Sequence, residues 1–345
     1  MRSLFLALFS LLISLQATEI RRGEISGAKF SVALPAEKPW SGKLVLLAHG
    51  YRPADAPLGA DLDPADEFAG PLLREGWAVA ITSYRRNGWI IEDAIDDLGA
   101  LRDQIAKEHG EVKRCVVLGN SMGGLIVTRI AEGAMQGVDG AVAVGAYLGD
   151  GKSDASYPDL TWKPAVPILY LTNQDELEHP VAYRAKAGAE KTALWTVKRD
   201  GHCNTSDAER LSALRAIDAW IDGKPPEREM DGTVAPPERP STAKKLEGGG
   251  LEVIIRQASE SWGNLSTDGV AADLESLGLK RGDKAVVAGP GGRLEVTVVN
   301  YRGEVEQGKG ALYATNNGWV FVEINGGNAA KALGAKAGDR LGISR

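Results

Sequence analysis

The stretch Cys115-Val116-Val117-Leu118-Gly119-Asn120-Ser121-Met122-Gly123-Gly124 decides how this chain is read. A short apolar run, rich in β-branched residues, predicts a buried strand. Two glycines then flank a serine, and an apolar helical pattern follows over 125–135. A strand running straight into a Gly-x-Ser-x-Gly turn and then a helix is the context that gives the pentapeptide meaning. The glycines permit a tight turn in which the serine hydroxyl stands clear of the strand end. In a chain with 42 glycines a bare match arises by chance, so the flanking elements carry the inference.

The same alternation extends outward on both sides. Apolar runs at 43–48, 77–83, 140–147, 168–172 and 193–197 predict further strands, and amphipathic stretches at 90–108 and 205–221 predict helices between them. Residues 19–34 supply one or two antiparallel edge strands. Continuous apolar strands separated by helices mean a mostly parallel sheet flanked by helices, an α/β fold. Thr205 or Ser206 caps the last helix, with Asp207 and Glu209 in its first turn. The pattern breaks over 224–247, where Lys224-Pro225-Pro226-Glu227 and Pro236-Pro237-Glu238-Arg239-Pro240 read as an exposed linker. Beyond it, short strands at 251–256, 284–288, 293–299 and 318–324 predict a smaller β-rich domain. The division is therefore 18–223, 224–247 and 248–345.

A serine hydroxyl needs a base to take its proton, and the tetrahedral intermediate needs donors for its oxyanion. Gly201-His202 follows the 193–197 strand and precedes the last helix, so His202 is the candidate base. Of the other three histidines, His109 closes a helix, His179 sits beyond the 168–172 strand, and His49 precedes the serine and reads as structural. Asp175 lies just past the 168–172 strand and is the candidate acid, with Glu176, Glu178 and Asp150 as neighbouring alternatives. The order Ser121, Asp175, His202 is the one expected of a strand-borne serine nucleophile on a parallel sheet. His49-Gly50-Tyr51 follows the first long apolar strand, which places the backbone N–H of Tyr51, with that of Met122, as oxyanion donors.

Residues 25–222 thus resemble the α/β-hydrolase superfamily, on His49-Gly50-Tyr51, Gly119 to Gly124, Asp175 and Gly201-His202. The resemblance is closest to esterases, lipases and cutinase-like enzymes. It implies acyl transfer from a small-molecule or polymeric ester to water, with Ser121 attacking, His202 shuttling the proton and Asp175 orienting His202. It implies no cofactor. The superfamily also holds peptidases, so a serine peptidase on the same triad stays open. The 148–167 connection is too short for a large lid, which predicts an open site. Tyr51 and Trp162 either flank the acyl group or belong to the core.

Residues 251–343 resemble the C-terminal domain of the S-adenosyl-L-methionine hydroxide adenosyltransferase family. The matching pieces are Trp262-Gly263-Asn264-Leu265-Ser266-Thr267, the run from Gly310 to Gly318, Val322 to Ala330, and Ala337-Gly338-Asp339. In that family the aromatic-Gly-Asn loop and a later Asn-rich loop hold a nucleoside ligand, which points to Trp262, Asn264 and Asn316. The family's acidic residue before that loop is Ser259 here, its later serine is Asn316, and its N-terminal domain is missing. The resemblance then implies either a reused scaffold for docking or oligomerisation, or a nucleoside-like ligand site. The latter would suit a non-catalytic binding protein.

The bulk properties narrow the remaining choices. Met1-Arg2-Ser3, an apolar run over 4–15 and Gln16-Ala17-Thr18 read as a secretory signal peptide over 1–17, for a secreted or periplasmic protein. No later run is long enough to span a bilayer. A net charge of -6 argues against nucleic acid as a partner. The two cysteines, Cys115 and Cys203, fall at opposite ends of the sheet and read as free thiols. No His/Cys/Asp cluster has metal-ligand spacing.

Overall fold

The apolar runs become neighbouring strands of one nine-stranded sheet in the computed structural model, which describes residues 20–153 and 155–345. The signal-peptide reading of 1–17 falls outside the described residues. Ile20–Ile25 and Ala28–Ala33 form an antiparallel hairpin at one edge, paired with Trp77–Thr82. From there every pairing is parallel, in the order Trp77–Thr82, Lys43–Ala48, Arg114–Asn120, Gly140–Val144, Ile168–Asn173, Thr192–Val197 and Glu229–Asp231.

Period-two alternation sends neighbouring side chains to opposite faces. Leu44, Leu46 and Val117 join a core with the helices Ile91–His109 and Met122–Arg129. Val45, Val116 and Leu118 join a second core with Ala69–Glu75 and Asp207–Ile221. Each fully buried Leu or Val contributes about 1.5–3 kcal/mol, so both faces of the sheet are firmly held. Ser206 caps the last helix through a capping box: its Oγ accepts from the Glu209 N–H at 3.2 Å, and Glu209 Oε2 accepts from the Ser206 N–H at 2.7 Å. Cys115 is buried near the start of its strand, and both cysteines are free thiols.

Residues 224–247 are less free than their composition predicts. Glu229–Asp231 is the ninth strand of the first sheet, and Lys244–Lys245 pairs with the second sheet. The second sheet closes on itself. Leu251–Ala258, Leu265–Val270, Trp319–Ile324, Gly310–Ala314, Gly292–Val298, Lys284–Gly289 and Arg340–Ser344 follow one another, and the last pairs back with the first. The result is a small barrel around Val253, Leu312, Val322 and Leu341. Closure leaves no unpaired edge in the ring.

The barrel docks on loops of the nine-stranded sheet. Asp61 accepts from Ser259 Oγ at 2.8 Å and from the Ser261 N–H at 3.0 Å. Trp319 Nε1 donates to Glu67 at 3.0 Å, and the Asn317 amide pairs with Asp207 through its N–H and carboxylate, each at 2.8 Å. Among the described residues no helix is long and apolar enough to cross a membrane.

Candidate active site

The serine turn sits at the C-terminal edge of the parallel sheet, where loops from several strands converge. Ser121 takes φ 57°, ψ −117° between the strand Arg114–Asn120 and the helix Met122–Arg129. Holding a β-carbon there costs of order 1–3 kcal/mol, so the surroundings must fix it. The Ser121 N–H donates to the Val144 carbonyl at 2.9 Å, and the Ser121 carbonyl accepts from the Gly124 and Tyr147 N–H groups at 2.8 and 3.3 Å. Both flanking glycines are sterically required. A β-carbon at Gly119 would collide with the Gly123 carbonyl oxygen, and one at Gly123 with the Ala48 carbonyl oxygen.

His202 Nε2 lies 2.7 Å from Ser121 Oγ. The loop that brings it there is tied to the neighbouring strand Ile168–Asn173: the Asn173 amide donates to the Asn204 and Arg199 carbonyls at 3.0 and 3.1 Å. On the other ring nitrogen, Nδ1 is hydrogen-bonded to Glu176 Oε1. Glu176 Oε2 also accepts from the Cys203 N–H at 3.1 Å. The carboxylate hydrogen-bonded to the histidine ring is therefore Glu176 rather than Asp175. Asp175 is exposed and accepts instead from the Gly201 N–H at 2.9 Å, bracing the histidine loop from outside. The physical reason is a turn after Asn173, closed by the Glu176 N–H donating to the Asn173 carbonyl at 3.0 Å. It directs the third residue past the strand, not the second, back toward the histidine. Asp150 is occupied by its own loop, accepting from Lys152 and Ser153 N–H groups.

Hydrogen bonding to the Cys203 thiol, then to Glu176, raises the His202 pKa above its ordinary value, against the opposing effect of burial. The His202 side chain is 56% exposed, so its ring is open to solvent. The described residues between Gly140–Val144 and Ile168–Asn173 hold no helix.

His49 behaves as a structural residue. Its ring nitrogens contact the Gly50 and Ser83 carbonyls at 2.7 and 3.0 Å, and its ring packs 4.0 Å from that of Tyr84. Burial, aided by Arg52, lowers its pKa to about 4, so it stays neutral. The loop it holds lies against the serine turn: a β-carbon at Gly50 would sit 3.2 Å from Ser121 Cβ. Tyr51 follows directly and is exposed. Met122 is the first residue of the helix, where the N–H has no partner within the helix.

Trp162 is not at the site. Its N–H donates to the buried Glu132 at 2.6 Å, and its ring packs on Tyr183 and beneath Lys186. The Tyr147 N–H donates to the Ser121 carbonyl at 3.3 Å, and the Tyr147 ring is edge-on to Trp89 and His179. The sequence pattern places Tyr147 at the end of a 140–147 strand, whereas the strand ends at Val144 and Tyr147 follows it.

The three candidate ligand residues of the barrel do not form one site. Trp262 faces the Arg52 guanidinium, 5.3 Å from its ring centroid. Asn264 lines one cleft between the domains and Asn316 another. The Asn316 amide donates to Asn204 Oδ1 at 2.5 Å, within the histidine loop. Among the described residues no group of acidic, histidine or cysteine side chains is arranged to hold a metal ion.

A family model described as serine aminopeptidase, S33, matches residues 86–223, which include Ser121, Glu176 and His202. The chain carries an α/β-hydrolase domain. A second model, the SAM hydroxide adenosyltransferase C-terminal domain, matches residues 260–342, so the barrel is a separate domain resembling that one. No curated protein matches the sequence.

Among solved structures, the chain is similar to an uncharacterised conserved protein from Thermotoga maritima, at 22% identity and TM-score 0.28, over 37% of this chain. It spans 49% of that protein's length. It is also similar to an esterase of Pyrococcus furiosus, at 18% identity and TM-score 0.42, over 60% of this chain and 88% of that one. Est1E from Butyrivibrio proteoclasticus is similar at 16% identity and TM-score 0.43, over 59% of this chain and 98% of that one.

Proposed function

We propose that this α/β-hydrolase domain cleaves carboxylic esters through an acyl-enzyme on Ser121. The observation that carries the reading is the continuous hydrogen-bonded line from Glu176 through His202 to Ser121 Oγ, ending in an open site. His202 takes the hydroxyl proton as Ser121 Oγ bonds to the ester carbonyl carbon. The backbone N–H groups of Tyr51 and Met122 receive the oxyanion. The ester C–O bond then breaks, and His202 returns the proton to the departing alkoxide. Water repeats the sequence and releases the acid. Glu176 keeps Nδ1 protonated and stabilises the imidazolium. The apolar leader supports export, so the enzyme acts outside the cytoplasm.

The description of the family model that matches 86–223 keeps a peptidase reading alive on the same residues. One experiment addresses both readings. A fluorophosphonate probe should label the folded wild type and not Ser121→Ala; an unlabelled folded wild type contradicts the nucleophile. A panel of p-nitrophenyl esters against peptide anilides should then show turnover of the esters. Cleavage of the anilides alone would select the peptidase.

A further inference from the structure

A cleft of about 370 Å³ opens beside His202, between the histidine loop and the barrel. Its lining includes Arg210, Tyr301, Arg302, Thr315, Asn316 and Glu323. Tyr301 reaches the catalytic loop itself: a β-carbon at Gly201 would sit 3.5 Å from its ring. The barrel therefore forms one wall of the space next to the histidine.

Position assigns this space to one half of an ester. His202 Nε2 is the atom that protonates the departing oxygen, so the alcohol leaves on the His202 side. On the other side of the serine, the Tyr147 N–H donates to the Ser121 carbonyl at 3.3 Å.

The cleft's own chemistry is polar and close to balanced. The lining carries two cations, Arg210 and Arg302, and two carboxyls, Asp207 and Glu323, so its formal charges balance in number. Glu323 is 4% exposed and accepts from the Tyr313 hydroxyl at 2.9 Å, and burial raises its pKa. Neighbouring Glu304 is engaged by Arg281 at 2.9 Å, which leaves the exposed Arg302 guanidinium available. An alkyl alcohol placed here would strip water from amide, guanidinium and carboxyl groups and return no hydrogen bonds. A molecule with several adjacent hydroxyls returns both donors and acceptors, and its C–H face can lie on the Tyr301 ring.

We propose that the cleft between the His202 loop and the barrel receives the leaving alcohol and selects a neutral, hydroxyl-rich one, a sugar or a polyol. The proposal rests on the ester-hydrolase reading of Ser121. It gives the barrel a substrate-selecting role that its resemblance does not imply.

The test uses the full chain and esters of one acyl group, butyrate, on glucose, glycerol and 1-hexanol. Wild type should favour a hydroxylated ester over hexyl butyrate by about ten-fold or more in kcat/KM, the scale that recovered hydrogen bonds supply. Glucose against glycerol distinguishes the two sources of hydroxyls. Tyr301→Ala and Arg302→Ala should each reduce that ratio toward one. Free methyl glucoside or glycerol should inhibit the wild type competitively where 1-hexanol does not, which tests the cleft even if a variant fails to fold. Equal rates on all three esters with no polyol inhibition overturn the subsite while fluorophosphonate labelling of Ser121 still upholds the hydrolase. Loss of labelling overturns the hydrolase itself.

Discussion

The serine turn and the acid loop lie at the same edge of one sheet, separated by a single strand, yet they are built on opposite principles. The turn is fixed by backbone contact. Gly119 and Gly123 are hemmed in by carbonyl oxygens, so the residue type is dictated at each position. The acid loop is fixed by reach. Asp175 and Glu176 are adjacent carboxylates that serve different donors, the Gly201 N–H and the His202 ring. A close approach leaves a mark in residue identity, whereas a side chain's direction depends on the turn that carries it.

The serine turn is the more rigid of the two regions. Gly123→Ala should abolish measurable ester turnover and lower the thermal midpoint, because the new methyl meets the Ala48 carbonyl and cannot move aside. Overpacking of this kind typically costs about 1–3 kcal/mol and more where backbone must shift. Near-normal turnover in Gly123→Ala, read from a p-nitrophenyl ester assay, would show the turn to be looser than its contacts imply.

The histidine that joins the two loops can be read by pH. Only the neutral imidazole accepts the serine proton, so activity falls as pH drops through the His202 pKa. That pKa is raised, chiefly by the Cys203 thiol, so the acid limb of kcat/KM should lie above the ordinary histidine value of 6.5. Cys203→Ala removes the leading cause and should move the limb to lower pH. A limb that stays in place would assign the shift to Glu176 alone.

The smallest effect concerns the helix that follows the histidine loop. Ser206→Ala removes the capping-box acceptor for the Glu209 N–H and should cost about 0.5–2 kcal/mol in denaturant unfolding. Turnover should change little, because Asn173 holds the loop independently.

These contrasts also explain what was legible in the sequence. The parallel strands and the serine turn are visible because β-branched runs and paired glycines record burial and close approach. Ser121 and His202 follow from strand ends and chain order. Glu176 does not, because strand-end position cannot resolve a phase of one residue, and the turn after Asn173 sets that phase. Tyr147 is hidden because the apolar run continues through 140–147, whereas the strand itself stops at Val144. In the barrel, Leu265–Val270, Gly310–Ala314 and Arg340–Ser344 were not read as strands. They are short, and glycines interrupt the alternation in each or sit at its start. The docking of Asn316 and Trp262 on the hydrolase domain leaves no local pattern at all, since each partner is distant in the chain.

We propose that Glu176, held on His202 Nδ1, is the acid of the triad. It is tested by kcat/KM on one p-nitrophenyl ester for Glu176→Gln and Asp175→Asn, with Ser121→Ala as the floor. Glu176→Gln should lose about 10³–10⁴-fold, the scale for losing the carboxylate that orients a catalytic histidine. Asp175→Asn should stay within about ten-fold of wild type, because it removes one brace on the Gly201 N–H and leaves the triad intact. The reverse order, with Asp175→Asn near the floor and Glu176→Gln active, would contradict the account.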